Sequence, residues 1–282
     1  MNLTSIKEII PLMERHGFNF SKSLGQNFLI NSEVPRKIVE KSGITEDSCV
    51  IEIGPGIGCL TKELALVAKK VIAIEIDKKL LPVLDETLSE FDNIEIINGD
   101  VMDIDLGKLI EEKGLENISV CANLPYYITT PIIMKLLESK LPLKSITVMI
   151  QKEVARRFCA PAGSSDYGAI TPVLQYYTKI TSLFTVSPGN FMPKPKVDSE
   201  VISLDLISPP VNVKSEKTLF RVIKSAFAMR RKTLENNLQK DFSISKDKLS
   251  ELLLSLGFPE KVRGEKLTLE DFAKIADKLS ED

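Results

Sequence analysis

The sequence predicts a doubly wound α/β fold, a mostly parallel sheet with one antiparallel edge, followed by a small all-helical C-terminal domain. Short hydrophobic runs rich in β-branched residues alternate with amphipathic segments of helical length through the first half of the chain. After a Pro-containing break near residue 208, only helical periodicity remains. Strands buried on both faces are continuously hydrophobic, and their alternation with helices is typical of parallel strands joined by crossovers.

The first half of the chain contains five predicted parallel strands with helices between them. The strands are CVIEI (49–53), VIAIEI (71–76), IEII (94–97), ISVCA (118–122) and SITVMI (145–150). The helical segments are 58–69, 78–90, 105–113 and 130–140. The composition of the five runs is that of buried strands in an α/β sheet.

The second half adds two helical segments, two strands and a helical tail. The helical segments are 151–160 and 168–177, and the strands ITSLFTV (180–186) and SEVISLDLI (199–207) are expected to close the sheet as an antiparallel pair at one edge. The tail has apolar residues at helical spacing in 217–238, 245–257 and 268–279. We therefore predict an α/β domain over 1–207, with 1–22 as an N-terminal helical extension, and a helical domain over 208–282.

The composition excludes several classes of protein. No apolar run of this 282-residue chain approaches the roughly 18 residues that a membrane helix requires, and the N-terminus lacks a signal-peptide core. We expect a cytoplasmic protein with no membrane contact. Four scattered cysteines and a single histidine predict no disulfide framework, no metal site and no histidine-based catalysis. We interpret the cysteines as buried free thiols.

Charge is distributed unevenly along the chain. The formal net charge is −2, but residues 214–240 contain eight Lys and Arg against two acids. From residue 247 to the end, nine acids outnumber six Lys and Arg. The basic segment is consistent with a phosphate-binding surface, and equally with a solvated helix face.

A glycine-rich turn follows the first strand in VIEIGPGIGCLT (50–61). Glycines let the backbone approach a ligand closely and turn sharply into a helix. The spacing differs from the dinucleotide fingerprint GxGxxG, and no phosphate-binding Lys-Ser/Thr pair follows. Taken alone, this motif also fits a purely structural turn.

Two acids lie at the ends of the next two strands. Glu75 ends the second strand, where a carboxylate can accept hydrogen bonds from both hydroxyls of a ribose. Asp100 follows the third strand and can accept from the amino group of an adenine, whose ring would lie between Ile76 and Val101. Together with the glycine turn, these residues predict an adenosine pocket at the carboxyl edge of the sheet.

The fourth strand ends in the unusual segment NLPYYITTP (123–131). The side-chain oxygen of Asn123 and the carbonyl of Leu124 can together accept both hydrogens of an exocyclic amine, while Pro125 stiffens the turn and Tyr126 stacks on the ring. Holding the amine in this way directs its lone pair at an electrophile, so positioning supplies the rate without a strong base. Tyr127 has no chemical role in this scheme and is interpreted as packing.

These motifs resemble the S-adenosylmethionine-dependent adenine-N6 methyltransferases, and more closely the ribosomal small-subunit (16S) rRNA adenine dimethyltransferase family. The matching segments occur in family order from about residue 20 nearly to the C-terminus. They are SLGQNFLIN (23–31), EIGPGIGCLT (52–61), AIEID (73–77), NGDVMDID (98–105), NLPYYITTPI (123–132), SPGNFMPKPKVDSEVI (187–202) and RGEKLTLEDF (263–272). The resemblance implies a Rossmann-like class I methyltransferase sheet.

The resemblance also implies roles for individual residues. The implied S-adenosyl-L-methionine site is Asn27, Leu29, Gly54, Gly56, Glu75, Ile76, Asp100, Val101 and Asn123. The implied catalytic set is Asn123, Leu124, Pro125, Tyr126 and Phe191, with the target adenine held out of its stack between Tyr126 and Phe191. The implied rRNA-phosphate contacts are Arg221, Lys224, Arg230, Arg231 and Lys232.

The resemblance implies N6,N6-dimethylation of two adjacent adenosines in the 3′-terminal hairpin loop of 16S rRNA, on the immature 30S subunit, by a monomer. Three alternatives stay open. The related large-subunit rRNA methyltransferases that confer macrolide resistance share the fold and a similar asparagine motif. A non-catalytic RNA-binding assembly factor would keep the fold without needing the cofactor pocket. A nucleotide-cofactor dehydrogenase would share the strand, glycine turn and acid, but not NLPYY.

Overall fold

A computed structural model of the chain describes residues 1–18 and 25–280. Within these ranges the chain forms two compact units. The first unit comprises Met1–Ala155 and Thr181–Leu206, and the second comprises Arg156–Ile180 and the chain from Ile207 onward. No helix among the described residues is long and apolar enough to span a bilayer.

The helices and strands alternate as the hydrophobic pattern predicts. The strands are β1 (Phe28–Leu29), β2 (Cys49–Ile53), β3 (Lys70–Glu75), β4 (Ile94–Asn98), β5 (Ile118–Asn123), β6 (Leu143–Gln151), β7 (Thr178–Val186), β8 (Phe191–Met192) and β9 (Ser199–Leu206). The helices are α1 (Ile6–Arg15), α2 (Glu33–Lys41), α3 (Cys59–Ala65), α4 (Leu81–Thr87), α5 (Leu106–Lys113), α6 (Thr129–Glu138), α7 (Lys152–Phe158), α8 (Ile170–Tyr177), α9 (Glu216–Ala226), α10 (Leu234–Phe242), α11 (Lys246–Ser255) and α12 (Leu269–Leu279).

The main sheet has seven strands in the order β4-β3-β2-β5-β6-β9-β7. The strands from β4 through β6 run parallel, and β9 pairs antiparallel with β6. The chain order reverses between β2 and β5, so this sheet has a switch point where ligands typically bind beyond the carboxyl ends of the strands. The mostly parallel sheet with an antiparallel edge is confirmed.

Burial explains why the central strands are mostly hydrophobic. Every residue of β2 is buried, and so are the last five of β3 and the first five of β5. Three of the four cysteines are buried free thiols as expected, whereas Cys159 is exposed, which corrects the interpretation of all four as buried.

The predicted helix over 217–238 is divided into α9 and α10. Asn237 stabilises this division, because its side-chain amide donates to the carbonyls of Ala226 (2.9 Å) and Met229 (3.2 Å) where α9 has ended. Gly264 packs against the same place, since a Cβ there would lie 2.7 Å from the Ala226 carbonyl oxygen. Apolar spacing alone does not reveal such a break.

Residues 156–180 cluster with the helical unit, although the sequence prediction kept them in the N-terminal domain. Two buried tyrosines account for the difference. The Tyr167 hydroxyl donates to the Leu267 carbonyl (2.9 Å), and the Tyr176 hydroxyl donates to the Glu216 carboxylate (2.9 Å). Long-range hydrogen bonds of this kind leave no trace in a local hydrophobic pattern.

The sequence prediction missed the short antiparallel pair of β1 and β8. Phe28 pairs with Met192, and Leu29 pairs with Phe191. Two-residue strands give no periodic signal, so only the pairing partner reveals them. The predicted N-terminal helical extension is represented by α1, and its residues 19–22 lie outside the described residues, as do Ser23 and Leu24 of the SLGQNFLIN segment.

Candidate functional site

A cleft lies where the carboxyl ends of β2, β3 and β5 meet the segment 25–29. Its empty volume, including the open mouth and the solvent space in front of it, is about 830 Å³. The predicted site residues that line it are Asn27, Leu29, Gly54, Gly56, Glu75, Ile76, Asn123, Leu124, Pro125 and Tyr126. Asp100, Val101 and Phe191 are not among its lining residues.

The glycine turn after β2 has backbone angles that favour glycine. Gly54, Gly56 and Gly58 all have positive φ, at 71°, 61° and 91°. A Cβ on Gly56 would lie 3.1 Å from the Phe28 ring, and one on Gly58 would lie 3.0 Å from Leu88. At Gly54 no atom lies within 4 Å of such a Cβ. The turn therefore packs closely at two glycines and leaves open space beside the third.

Glu75 is held rigidly at the floor of the cleft. Only 4% of the residue is exposed, and its two carboxylate oxygens accept from the backbone N–H groups of Gly56 (3.2 Å) and Asp77 (2.8 Å). Burial raises the pKa of this carboxyl, and the two N–H donors oppose that shift. Each oxygen keeps a lone pair, so the carboxylate can still accept two hydrogen bonds from a diol.

Glu52 is a second acid in the lining, and the sequence analysis treated it only as a strand residue. It is 1% exposed, and its Oε2 accepts no hydrogen bond from the described residues. Burial, with a smaller contribution from the nearby Glu75, raises the pKa of the Glu52 carboxyl to about 8. An acid inside a strand pattern is the sequence signal that identifies such a residue.

Asp100 occupies a tight turn just after β4. Its carboxylate accepts from the Met102 N–H (2.8 Å), and Asn98, two residues earlier, pairs with Glu75 in the β3–β4 register. The Lys135 ammonium donates to the carbonyls of Met102 (2.6 Å) and Ile104 (2.9 Å), which fixes the loop. Val101 is buried, whereas Ile76 is 47% exposed in the cleft.

The turn after β5 presents acceptors towards the cleft. The Asn123 side-chain N–H group donates to the Asn27 carbonyl (3.2 Å), which sets the orientation of the amide. Its oxygen therefore faces the other way, and it accepts no hydrogen bond from the described residues. The Leu124 N–H donates to the Met149 carbonyl (3.2 Å), while no backbone bond among the described residues uses the Leu124 carbonyl oxygen.

The two aromatic residues predicted to face a base are placed differently. Tyr126 lies in the cleft wall, half-buried, with its hydroxyl 2.7 Å from the Ser199 hydroxyl, and burial raises its pKa. Phe191 is 3% exposed in the hydrophobic core, paired with Leu29. Tyr127 is 61% exposed, so it does not pack in the core, although its ring lies against Gly25.

Segment 25–29 crosses the cleft and contributes lining residues that the sequence analysis did not single out. Gln26 donates to the Asp77 carboxylate (2.9 Å), and the Asn27 side chain donates to the Gly25 carbonyl (2.9 Å). Phe28 packs on Gly56 as described above. The segment therefore connects the acid side of the cleft to Asn123 on the other side.

Comparison with known proteins identifies the family of this chain. The family described as ribosomal RNA adenine dimethylase matches residues 17–281. The chain belongs to the ribosomal RNA adenine dimethylase family. The Ribosomal RNA small subunit methyltransferase A of Alkaliphilus oremlandii is 48% identical over 281 residues, which cover 99% of this chain and 98% of that protein. The protein of the same name from Geobacillus thermodenitrificans is 49% identical over 274 residues, covering 95% and 94%.

Solved structures similar to this dimethylase-family chain support the same fold. A dimethyladenosine transferase from Plasmodium falciparum superposes with a TM-score of 0.75 at 28% identity, covering 90% of this chain and 97% of that one. The 23S rRNA methyltransferase ErmE superposes with a TM-score of 0.69 at 25% identity, covering 90% and 99%. The predicted Rossmann-like class I methyltransferase sheet is confirmed.

The helical unit of this dimethylase-family chain carries the predicted basic residues on its surface. All five are exposed: Arg221, Lys224, Arg230, Arg231 and Lys232. Arg221 lies over the Phe242 ring and donates to the Asp241 carbonyl, and Arg230 donates to the Ser165 carbonyl (2.8 Å). The side chains of Lys224, Arg231 and Lys232 make no hydrogen bond or ion pair within residues 1–18 and 25–280. Two of the five, Arg221 and Arg230, thus already donate hydrogen bonds to carbonyl groups of the protein.

Proposed function

We propose that this chain dimethylates N6 of two adjacent adenosines in the 3′-terminal hairpin loop of 16S rRNA, using S-adenosyl-L-methionine. The observation that carries the proposal is one cleft that contains both an adenosine-type acid site, Glu75, and an amine-positioning turn, Asn123 to Pro125. A cofactor-binding protein needs only the first, and an RNA-binding protein needs neither. Membership of the adenine dimethylase family supports the same reaction.

The residues of the cleft suit an adenosyl cofactor. Each Glu75 carboxylate oxygen keeps a lone pair that would accept from a diol, and the open space beside Gly54 would admit the amino-acid end of such a molecule. Asn27 and Leu29 would cover it from the segment 25–29. The bound cofactor supplies an electrophilic methyl group. Asp100, with Val101, would contact the adenine from the turn beside Glu75, since β3 and β4 are adjacent.

The chemical step depends on how the target amine is held. The Asn123 side-chain oxygen and the Leu124 carbonyl oxygen would accept its two hydrogens. Because the Asn123 N–H group is already bonded to the Asn27 carbonyl, the amide cannot rotate without losing that bond. Pro125 restrains the turn, and Tyr126, anchored through Ser199, would stack on the base. Positioning of this kind needs no general base, which suits a chain with one histidine.

Phe191 and the basic residues complete the proposal. Phe191 would face the target base opposite Tyr126, which requires its ring to move from the buried position that it occupies beside Leu29. Lys224, Arg231 and Lys232, with Arg221 and Arg230, would bind rRNA phosphates. In this scheme the first unit supplies the reaction and the helical unit supplies RNA affinity, on an immature 30S subunit in the cytoplasm.

A methyl-transfer assay tests the proposal directly. The full chain is incubated with radiolabelled S-adenosyl-L-methionine and either unmethylated small subunits or large subunits, and the label is mapped on the rRNA. We expect four methyl groups on two adjacent adenosines of the small subunit. Transfer to the large subunit alone would identify the activity named for ErmE instead, and binding without transfer would identify an assembly factor.

A further inference from the structure

Tyr127 is an aromatic residue that is not buried in the core and has no part in the proposed methyl transfer. It is the only aromatic among the large hydrophobic side chains that are exposed in residues 1–18 and 25–280. Complete burial of a side chain of this size typically stabilises a protein by about 1.5–3 kcal/mol. Tyr127 is 61% exposed, so most of this stabilisation is absent. An aromatic ring held in water beside a cleft is therefore unusual on stability grounds.

The ring is placed at the mouth of the cleft on a stiff support. Tyr127 belongs to the lining together with the amine-positioning turn. One edge of the ring is backed by Gly25, where a Cβ would lie 3.4 Å from its Cδ1 atom. The Pro125 carbonyl accepts from the Ile128 N–H (3.2 Å) and the Thr129 hydroxyl (3.1 Å), so the two tyrosines are enclosed in a closed turn. The turn thus fixes the point from which the Tyr127 side chain leaves the backbone, and Gly25 lies against one edge of its ring.

Two consecutive tyrosines present their rings to different environments. The Tyr126 ring is half-buried and its hydroxyl is bonded to Ser199, so it is confined to the cleft. The Tyr127 ring, next to it along the chain, lies at the mouth of the cleft and is 61% exposed. A substrate with two adjacent adenosines needs a place for the second base while the first is in the cleft, and an unstacked base binds well to an exposed aromatic face.

The chain that follows β8 adds positive charge to this unit. Strand β8 pairs with β1, which ends the segment 25–29 that crosses the cleft. Lys194 and Lys196 lie on that chain and are exposed. An RNA strand carries its phosphates alongside its bases, so exposed cations in the same unit as an exposed ring favour a nucleotide over an apolar partner.

We propose that Tyr127 is a stacking platform for the nucleotide adjacent to the target adenosine, and that it positions the RNA for methyl transfer. The inference rests on the proposed function. Stacking of one base on an aromatic side chain contributes about 1–3 kcal/mol, which corresponds to an affinity change of roughly 5- to 150-fold. Removal of the Tyr127 ring should weaken RNA binding. We therefore expect a change in KM for the small subunit, and none in kcat or in cofactor affinity.

Steady-state kinetics with unmethylated small subunits test the proposal. Tyr127→Ala is expected to raise KM for the subunit about 5- to 150-fold, with kcat within about 3-fold of wild type and cofactor affinity unchanged. Tyr127→Phe should restore KM because it keeps the ring, whereas Tyr127→Leu should not. Leu66→Ala is the matched control, since Leu66 is 64% exposed in the same unit and does not line the cleft.

A second measurement locates the partner on the RNA. Small subunits reconstituted with uridine at one of the two adenosine positions leave a single target beside a poorly stacking base. The wild-type KM should rise on this substrate, while the Tyr127→Ala KM should not rise further. Additive effects, an unchanged KM in Tyr127→Ala, or weakened cofactor binding would overturn the stacking role. If wild type transfers no methyl group to small subunits, it is the proposed function that fails.

Discussion

The two units place their titratable groups of interest in opposite environments. The first unit buries two carboxyl groups in its cleft, Glu52 and Glu75, at 1% and 4% exposure. The second unit displays its Lys and Arg side chains on the surface. A buried carboxyl group interacts strongly with a few fixed atoms, whereas an exposed charge is screened by water and salt. Removal of one buried acid should therefore have a large effect on the pH dependence of stability or on cofactor affinity. Removal of one exposed cation should have only a small effect on RNA affinity.

The largest expected effect concerns the pH dependence of stability at Glu52. Its pKa of about 8 in the folded chain exceeds its usual value of 4.5. The folded chain therefore holds a proton that the unfolded chain releases. The resulting stabilisation is fully present below pH 4.5 and is lost as pH rises through 8, an effect on the order of 4–5 kcal/mol. Urea unfolding between pH 5 and 9 should show a flatter profile for Glu52→Gln than for wild type.

Glu90→Gln is the control for that experiment. A hydrogen bond from Lys62 lowers the pKa of Glu90, so its contribution has the opposite sign: it is present above the unfolded pKa and lost as pH falls. Between pH 5 and 9 this variant should therefore leave the slope unchanged. Equal slopes for wild type and Glu52→Gln would show that Glu52 titrates alike in the folded and unfolded chain.

Asn123→Ala should have the next largest effect, on kcat. The variant removes one of two acceptors for the target amine, and loss of a single positioned hydrogen-bonding group in an active site typically costs about 100- to 1000-fold in kcat. RNA affinity should stay within about 3-fold of wild type because the cations are untouched. Asn93→Ala is the control, since the partners of the Asn93 side-chain amide among the described residues are the carbonyls of Ala65 and Ala68, away from the cleft lining. Normal turnover in Asn123→Ala would refute the amine-positioning role.

Glu75→Gln should weaken cofactor binding by about 10- to 150-fold. The substitution replaces a charged acceptor of two ribose hydroxyls with a neutral amide, and a hydrogen bond to a charged group contributes about 1.5–3 kcal/mol. Calorimetric titration of wild type and variant with S-adenosyl-L-methionine measures the difference. NAD titrated into wild type is the control, because binding of NAD and not of S-adenosyl-L-methionine would favour a dehydrogenase.

The smallest effect is expected on the exposed side of the comparison. Arg231→Gln with Lys232→Gln should reduce the slope of log affinity against log salt by about 1.4–1.8, which is roughly 0.7–0.9 for each phosphate that the variant no longer neutralises. The matched control is Lys246→Gln with Lys248→Gln, which removes the same charge from α11. Equal slopes for the two double variants would mean that net charge alone, and not the basic turn before α10, determines RNA affinity.

Much of the first unit was predictable because its strands are buried on both faces. A continuous apolar run such as CVIEI has few alternatives to a central parallel strand, and strand ends in a parallel sheet meet at one edge. The gathering of Glu75 and Asn123 in one cleft follows from that rule. The pair of β1 and β8 could not be predicted, because two residues carry no periodicity.

The helical unit was less predictable from local patterns. Apolar spacing continues from 217 to 238, so nothing in that stretch marks the break that Asn237 stabilises by bonding the end of α9. The placement of 156–180 likewise depends on Tyr167 and Tyr176, whose partners lie 100 and 40 residues away in sequence. Contacts between distant residues cost chain entropy that local sequence does not record.

By itself, the sequence determined the order of strands and helices, the residues at the strand ends and, through shared motifs, the family. These depend on hydrophobic period and residue type, which are local properties. Only the tertiary structure decided how each candidate is presented: Glu52 without a partner for its Oε2, Phe191 in the core, Asn123 oriented by the Asn27 carbonyl, and Tyr127 in solvent. Exposure and hydrogen-bond orientation arise from neighbours that come together only when the chain folds, which is why the same tyrosine pair, adjacent in sequence, divides into a cleft wall and an exposed platform.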